Sequence, residues 1–572
     1  MQKILRINMN TGSVVLEDLT ENYTLLGGRG LVAKVLTDEA VNPTCDPLGK
    51  ENKLVFALGL FAGTGFPTGD HISVGAKSPL TGGIKTVESG GTIGTRLVEH
   101  GIKLVIVEGT PKDETMAILC IPAKGEPFLK KADDCANMGA YAVVKKLKKD
   151  YSDQVAIACI GPGGERKYPN ATIQVTDLAT GKPSRTLARG GIGAVMGSKG
   201  LKAIVVEEAE EKSKIEYADK DRFTNAKNAF LSAIERNDVT SRLMNKFGTM
   251  MEMAVVSKTG GLPYKNFSGG LCPILDDIGA NRFHQNINRR DGKAGLACQV
   301  DCPVKCSNVY NDKDGNYLTS GFDYETVAML GANCNISDLD TIARIDRLCN
   351  DFGMDAIELG ATIGVCMEAG KLEWGDGKQA MALVNEIVES TDLGSILARG
   401  TKATGEHFGV KRIPVVKGQS LTGYEPRNTK GTGVGFATSP LGPDRAIGIT
   451  SGAAGDVSKI ARVPMSQKVQ IIYAAINNFM CHFAAFPMAS THKHAIAYVA
   501  EALNGRYDAG WTIERVVGIG METIKLEKAF NRTAGFSAKD DRLPQFFYDE
   551  PSMMTGAKFD LTDEELAQVL PF

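Results

Sequence analysis

Three cysteines fall close together in the run CQVDCPVKC, at Cys298, Cys302 and Cys306, and a fourth, Cys481, follows a helical stretch far downstream. If one centre takes all four thiols, two distant segments must meet at one point, a demand stronger than any local propensity. Each gap in the trio is four residues, which would align the thiols on one helix face. Pro303 opposes that reading, because the residue before proline avoids the helical region, so the trio is expected on a loop. Crowded thiols in a chain without secretory features stay reduced and free to ligate metal. Four thiolates hold an iron–sulfur cubane, and Cys481 is the candidate for the fourth. Two other readings stand beside it: a zinc site completed by a histidine, although paired Cys-x2-Cys knuckles are absent, and three unrelated thiols. The radical-generating cluster motif fits poorly, since its last gap is shorter by one residue. Cys120, Cys159, Cys334, Cys349 and Cys366 stand singly in apolar surroundings and read as small core residues.

A chain of 572 residues exceeds what one hydrophobic core serves, so two to four domains are expected. The formal net charge of −2 gives no basic field for nucleic acid. The N-terminal MQKILRINMNTG is charged and polar where a signal peptide is apolar. The longest clean apolar run, Leu54–Ala62, falls far short of the ~20 residues of a membrane helix. The expectation is a cytoplasmic protein without membrane insertion.

Residues 1–207 read as strands punctuated by glycine, at Lys3–Asn8, Ser13–Glu17, Leu54–Leu60, His71–Ala76, Lys103–Glu108, Met116–Ile121, Gln154–Ile160 and Lys202–Glu207. Tyr141–Lys149 reads as a helix among them. Beyond the charged stretch Glu207–Lys214, three- and four-residue apolar spacing predicts helices over Arg222–Arg236, Leu339–Phe352, Ile357–Gly370, Lys378–Val388 and Val469–Phe483. Asp338 supplies an N-cap for the second of these and Gly353 its end. A further change of character falls near Val415–Gly418, and no internal repeat is visible. The fold class is therefore α+β.

Three glycine-bearing loop regions stand out: Gly27–Gly30, then Lys77–Gly82 with Glu88–Gly91, then Arg189–Lys199. Exposed backbone amides with a neighbouring Lys or Arg suit phosphate. None fits the Gly-x-Gly-x-x-Gly or Gly-x4-Gly-Lys-Ser/Thr pattern. Each alone reads as a turn; together they suggest a large phosphate-bearing cofactor other than a dinucleotide. A nucleotide enzyme using Arg189–Lys199 is a separate reading.

These segments resemble the aldehyde ferredoxin oxidoreductase family of tungsten and molybdenum enzymes. The matching runs are GGRGL (27–31), PTGDHISVGAKSPLTG (67–82), SGGTIG (89–94), RGGIGAVMGSK (189–199), CPVKC (302–306), DYETVAMLGANCNI (323–336), CNDFGMDAIELG (349–360) and GYEPR (423–427). The resemblance implies an N-terminal domain of two sheets, residues 1–207, that cradles pterin. It implies two mainly helical domains, 208–415 with the cysteine trio and the first pterin loop, and 416–572 with the second loop and Cys481. The implied cofactors are a tungsten or molybdenum bis-pterin, a magnesium ion between the pterin phosphates, and a [4Fe–4S] cluster on Cys298, Cys302, Cys306 and Cys481. The implied pterin-contacting residues are Arg29, His71, Lys77, Ser89, Gly90, Gly91, Arg189, Gly190 and Gly191, with Asn350, Gly353 and Asp355 in one loop and Asn477 and Asn478 in the other.

The implied reaction interconverts an aldehyde and its carboxylic acid, with electrons leaving through the cluster to ferredoxin or a polyferredoxin-type subunit. Assembly as a homodimer or hetero-complex follows by analogy. Glu325 matches the family's active-site glutamate, and Arg445 stands at or near the position of its histidine. An Arg cannot relay protons but can grip a carboxylate or phosphate. His71 replaces an Arg set between pterin and cluster, the first cysteine gap is one residue longer than usual, and Ile476 and Phe479 depart from the second loop's pattern. Arg344 replaces an acid that ligates an intersubunit iron in some members, so no such iron is expected. His482, His492 and His494 read as structural or surface residues, with His482 placed to tune the cluster. The same scaffold admits an acyl or aromatic carboxylate reductase subunit, and a cluster-only electron-transfer protein is a third possibility.

Overall fold

The computed structural model describes residues 2–39, 41–113, 115–450, 458–489 and 494–572. The N-terminal strands are β1 (Lys3–Asn8), β2 (Ser13–Asp18), β3 (Leu54–Leu58), β4 (Ile72–Lys77), β5 (Ile84–Ser89) and β6 (Ile102–Glu108). A second set follows: β7 (Ala117–Ile121), β8 (Phe128–Lys131), β9 (Ala156–Cys159), β10 (Ile173–Thr176), β11 (Pro183–Leu187) and β12 (Leu201–Val206). The first set forms a sheet in the order β2-β1-β6-β3-β4-β5, the second a sheet in the order β11-β10-β9-β12-β7-β8.

Read from the other edge, the second order is the first with every number raised by six. In each sheet the first and last strands of the set pair parallel and all other neighbours antiparallel. Helices occupy matching places, Gly28–Asp38 and Ala140–Asp150 before the third strand, Ile93–Glu99 and Ile192–Ser198 before the sixth. The domain is thus a duplicated unit, which the sequence reading missed. Only Gly90-Gly91 and Gly190-Gly191, each just before the last helix of its unit, betray it.

Period-two alternation explains the layering. Leu54, Phe56 and Leu58 of β3 join Leu119, Ala158 and Ile204 in a core between the two sheets. Val55 and Ala57 point the other way, toward the helix Gly28–Asp38. Ile118, Ile157 and Val205 face the helix Ala140–Asp150 across the second sheet. Strands β5, β8, β10 and β11 escaped the sequence reading; β8 and β11 carry little apolar alternation and are fixed by pairing with neighbours.

Beyond residue 207 helices dominate, with a small hairpin sheet of β13 (Lys293–Leu296), β14 (Ser307–Asn311) and β15 (Tyr317–Ser320). The helix Leu339–Phe352 has the predicted bounds, with Asp338 accepting from the Asp340 and Thr341 amides and Gly353 closing it at φ +82°. The predicted helix Val469–Phe483 instead spans Arg462–Ile476, and the chain then turns sharply at Asn477.

Each helical region passes one loop to one half of the duplicated domain. The Cys481 amide donates to the Thr68 carbonyl at 3.0 Å, and the Asp355 amide to the Asn170 carbonyl at 3.1 Å; Thr68 and Asn170 each lie shortly before the fourth strand of their unit. A Cβ on Gly59 would stand 2.6 Å from the Phe479 carbonyl, and one on Gly161 would collide with the Phe352 carbonyl. Gly27 and Gly28 meet the Asn478 and Asn477 carbonyls in the same way. The first glycine region, expected to cradle phosphate, is here the start of a helix on which backbone from residues 477–478 lies, because only glycine permits so close an approach.

Arg29 of that helix forms a buried, two-pronged ion pair with Glu527, 2.7 Å on each arm. Glu527→Ala is expected to destabilise the protein by about 3–5 kcal/mol, because it strands a buried guanidinium. A paired apolar replacement of Arg29 and Glu527 should recover most of that loss, read as the midpoint of denaturant unfolding.

Candidate active site and cluster-ligating thiols

Cys298, Cys302 and Cys306 lie on the loop between β13 and β14, as Pro303 required. The neighbouring Cys306 side chain, together with burial, holds the Cys298 thiol well above its usual range. Burial raises the Cys302 thiol too, and it lies near enough to Cys298 and Cys481 to feel both. Burial likewise raises Cys481, with Glu88 and Cys298 adding to the effect. The early trio and the late cysteine therefore converge. Cys120, Cys159, Cys334, Cys349 and Cys366 are buried and free, as expected of core residues.

Among the described residues no three His, Cys, Asp or Glu side chains close on one point as a single metal ion would need. The donor set suits a polynuclear cluster: four neighbouring thiols that a metal would hold as thiolates, three of them buried and Cys306 half-buried. Their surroundings are shaped for close approach. A Cβ on Gly90 would stand 2.7 Å from the Cys298 sulfur, and the Gly91 amide donates to the Cys298 carbonyl at 2.7 Å. Arg185, held by Asp177 at 2.8 Å and by the Ser307 hydroxyl, brings positive charge to Cys298 and Cys306.

A cavity of about 250 Å³ opens beside these thiols and is lined by Cys298, Cys306 and Cys481. Of the residues singled out from sequence, His71, Ser89, Gly90, Arg189, Glu325, Asn350, Asp355 and Arg445 also face it. Gly91, Gly190, Gly191, Gly353, Asn477 and Asn478 lie behind that wall. There Gly190 and Gly191 give room to Lys85 and to the Pro169 carbonyl. The Asn477 and Asn478 amide oxygens are buried without partners, while their amide nitrogens donate to the Ala446 and Ala474 carbonyls. Arg29 and Lys77, expected against the pterin cofactor, have protein partners: Arg29 pairs with Glu527, and Lys77 donates to the Pro43 and Cys45 carbonyls.

Asp323 caps the short helix Tyr324–Thr326 by accepting from the Thr326 amide, which fixes Glu325 in the cavity wall. One Glu325 oxygen accepts from the Gly423 amide at 2.8 Å; the other is buried without a partner. Burial lifts this carboxyl to about 7 against the opposing pull of Arg445 and the Gly423 amide. Arg445 sits on a 3-10 turn capped by Asp444, whose second oxygen takes Lys85 at 2.6 Å. Its guanidinium lies over the Phe483 ring at 4.7 Å, and its nearest carboxylate is Glu252 at 3.8 Å. Arg189 is fully engaged by Asp355 at 3.2 Å, the Ser420 carbonyl at 2.8 Å and the Pro443 carbonyl at 3.0 Å. Asn350 donates to Asp346 at 3.2 Å and accepts from the Thr186 hydroxyl at 3.0 Å.

Sequence reasoning missed Glu88, Asp346, Arg185 and Glu252. Glu88 lies buried between His482, with which it is hydrogen-bonded, and His71 at 3.4 Å. Burial raises the Glu88 carboxyl but the two histidines outweigh it and hold it far below the usual range. Burial pushes Asp346 up to about 7, opposed in part by the Thr319 hydroxyl. No spacing links these residues, which come from two strands (Glu88 and Arg185) and two helices (Glu252 and Asp346). His494 is exposed, and His492 lies outside the described residues.

Comparison with known proteins gives this geometry its family. The model of the aldehyde ferredoxin oxidoreductase N-terminal domain matches residues 4–208, and that of domains 2 and 3 matches residues 225–571. The tungsten-containing aldehyde ferredoxin oxidoreductase of Pyrococcus furiosus is 30% identical over 96% of this chain and 91% of its own. That of Thermococcus kodakarensis is 29% identical with the same coverage. The WOR-like subunit of an aliphatic sulfonate oxidoreductase from Pyrococcus furiosus is 25% identical over 76% of this chain and 70% of its own. Among solved structures, the active site complex BamBC of benzoyl coenzyme A reductase with 1,5-dienoyl-CoA shares the fold, with a TM-score of 0.80 at 19% identity, covering 99% of this chain and 92% of that one. The chain belongs to the aldehyde ferredoxin oxidoreductase family and is an oxidoreductase. No helix among the described residues is long and apolar enough to cross a membrane.

Gly90→Val should push Cys298 out of place, because the added side chain has no room beside that sulfur. Anaerobically purified variant is expected to lose most of its iron, while Cys366→Ala, a change in the remote core, leaves iron content unaltered.

Proposed function

We propose that the chain is a tungsten- or molybdenum-bis-pterin oxidoreductase that interconverts an aldehyde and its carboxylic acid. Electrons would leave through a [4Fe–4S] cluster on Cys298, Cys302, Cys306 and Cys481 to ferredoxin or an iron–sulfur partner subunit. The division into domains 1–207, 208–415 and 416–572 belongs to the same proposal. The observation that carries it is Glu325: a buried carboxyl with one unpartnered oxygen, in the wall of the cavity that the thiols rim. His71, Ser89, Gly90, Arg189, Asn350 and Asp355, which face that cavity, would hold the pterin pair.

The bis-pterin metal supplies the two-electron couple when bound, and the cluster the single-electron relay. The protein's own part is positioning and proton handling. Oxidation of an aldehyde hydrate to the acid releases two electrons and two protons, and the free oxygen of Glu325 takes one of those protons. The acid then gives up a third proton to water, and Arg445, a permanent cation, holds the carboxylate so formed. The Arg in place of a proton relay also supports a second reading, reduction of an acyl or aromatic carboxylate derivative on the same scaffold. Viologen-linked assays with aldehydes and with acyl thioesters separate the two. Metal analysis of anaerobically purified protein tests the scheme as a whole: iron without tungsten or molybdenum would leave only an electron-transfer role.

As a base, Glu325 must be ionised, so aldehyde oxidation should rise as pH increases through about 7. Glu325→Gln is expected to lower kcat by roughly 10²–10⁴-fold and to remove that limb of the profile. A carboxyl raised in the fold favours its protonated form, so its stabilising contribution is present at acid pH and declines as pH climbs through about 7.

A further inference from the structure

Lys103 stands on β6 and is buried, and its ammonium donates to the Tyr23 carbonyl at 3.0 Å and the Thr24 carbonyl at 2.8 Å. Those bonds account for two of its three N–H groups. Arg506 lies in the last turn of the helix Ala495–Tyr507 and is half-buried. Its Nε and Nη1 are nevertheless out of reach of solvent and have no hydrogen-bond partner. Neither residue faces the cavity beside the thiols.

The two cations are near neighbours with no acid between them. Burial holds the Lys103 ammonium well below its usual range, and the Arg506 guanidinium, the one charged group that acts on it, pushes the same way. Arg506 lies 5.0 Å from the centre of the Tyr507 ring. Burial raises Tyr217 and Tyr507 against the pull of Arg506, and no carboxylate acts on either phenol. Other buried cations of the chain, Arg29, Lys85 and Lys202 among them, have a carboxylate of their own. Like charges set together away from water are costly, because their repulsion grows as the dielectric falls. An anion from outside the chain removes that cost. The unused donors of a guanidinium fork, with one more from an ammonium, match the oxygens of a tetrahedral oxyanion, and two cations match two negative charges.

We infer that Lys103 and Arg506 bind a free divalent oxyanion of the phosphate or sulfate class, which ties the end of the helix Ala495–Tyr507 to β6 and to the turn at Tyr23 and Thr24. The site braces the loop that carries Cys481. The Tyr507 hydroxyl donates to the Leu60 carbonyl at 3.3 Å, and the Leu60 amide donates to the Asn478 carbonyl at 3.1 Å. The inference does not depend on the oxidoreductase reading.

The test is calorimetric titration of anaerobically purified holoprotein, dialysed free of phosphate and sulfate, with inorganic phosphate, sulfate, chloride and adenosine monophosphate. Phosphate and sulfate should each bind at a single site per chain, roughly tenfold or more tightly than chloride, and raise the midpoint of thermal unfolding. Adenosine monophosphate, a phosphomonoester, should bind more weakly than phosphate, because buried donors admit a small ion and not its body. Arg506→Gln should lower phosphate affinity by roughly tenfold or more and abolish the thermal shift, with Arg506→Lys keeping part of both. Arg445→Gln, which removes the cation at the thiol cavity, should leave phosphate binding unchanged. Phosphate or sulfate still held after dialysis counts as occupancy if Arg506→Gln releases it. Absence of both retained and titrated anion overturns the site, as does binding that survives Arg506→Gln or disappears with Arg445→Gln. Tighter binding of adenosine monophosphate than of phosphate overturns the assignment to a free ion.

Discussion

Backbone laid directly on glycine holds this molecule together at its centre. Residues 477–480 rest on Gly27, Gly28 and Gly59 of one β-unit, and residues 351–353 rest on Gly161 and Gly163 of the other. At Gly27, Gly28, Gly59 and Gly161 a methyl group would run into a carbonyl oxygen. These contacts bring the ends of two long helices, Leu339–Phe352 and Arg462–Ile476, onto equivalent edges of a duplicated domain. The cavity, the late cysteine and Asp355 all lie where those loops land.

Burial of charge at that seam gives the site its chemical character. Arg189 and Lys85 are paired with Asp355 and Asp444, so they contribute fixed field rather than reactivity. Glu325 is the exception, with one bare oxygen, while Arg445 meets Glu252 at 3.8 Å and lies over the Phe483 ring. An unpaired buried polar atom is costly, and the bare oxygen of Glu325 on the cavity wall is what a bound substrate would explain. Glu88, clasped by His71 and His482, places an anion beside Cys481, and Arg185 places a cation beside Cys298 and Cys306. The environment of the thiols is therefore balanced by residues from both β-units.

Much of this was legible from sequence. The early cysteines and Cys481 were paired on chemistry alone, because four thiols make one cubane, and Pro303 correctly ruled out a helix between them. Glu325 and Arg445 came from resemblance rather than from spacing, since neither stands in a pattern that a carboxylate or guanidinium uniquely produces. The glycine regions read singly as turns and together as the cradle of a phosphate-bearing cofactor. The close backbone packing at Gly27, Gly28 and Gly59 was not legible, for a glycine that admits a ligand and one that admits another stretch of backbone look the same in one dimension. Glu88, Asp346 and Glu252 gave no signal, as each matters only through groups brought to it from elsewhere in the chain.

What the sequence determined by itself was local: alternation in β3, the capped helix from Leu339 to Gly353, the loop that carries Cys298, Cys302 and Cys306, and a family likeness spanning the chain. Tertiary structure decided which residues share a wall. The duplication of the six-stranded unit, the seat of Arg445 over the Phe483 ring, and the bare oxygen of Glu325 depend on contacts between segments well separated in the chain. Local preference sets the shape of a segment. Only packing fixes which buried charges find partners and which are left to meet a ligand.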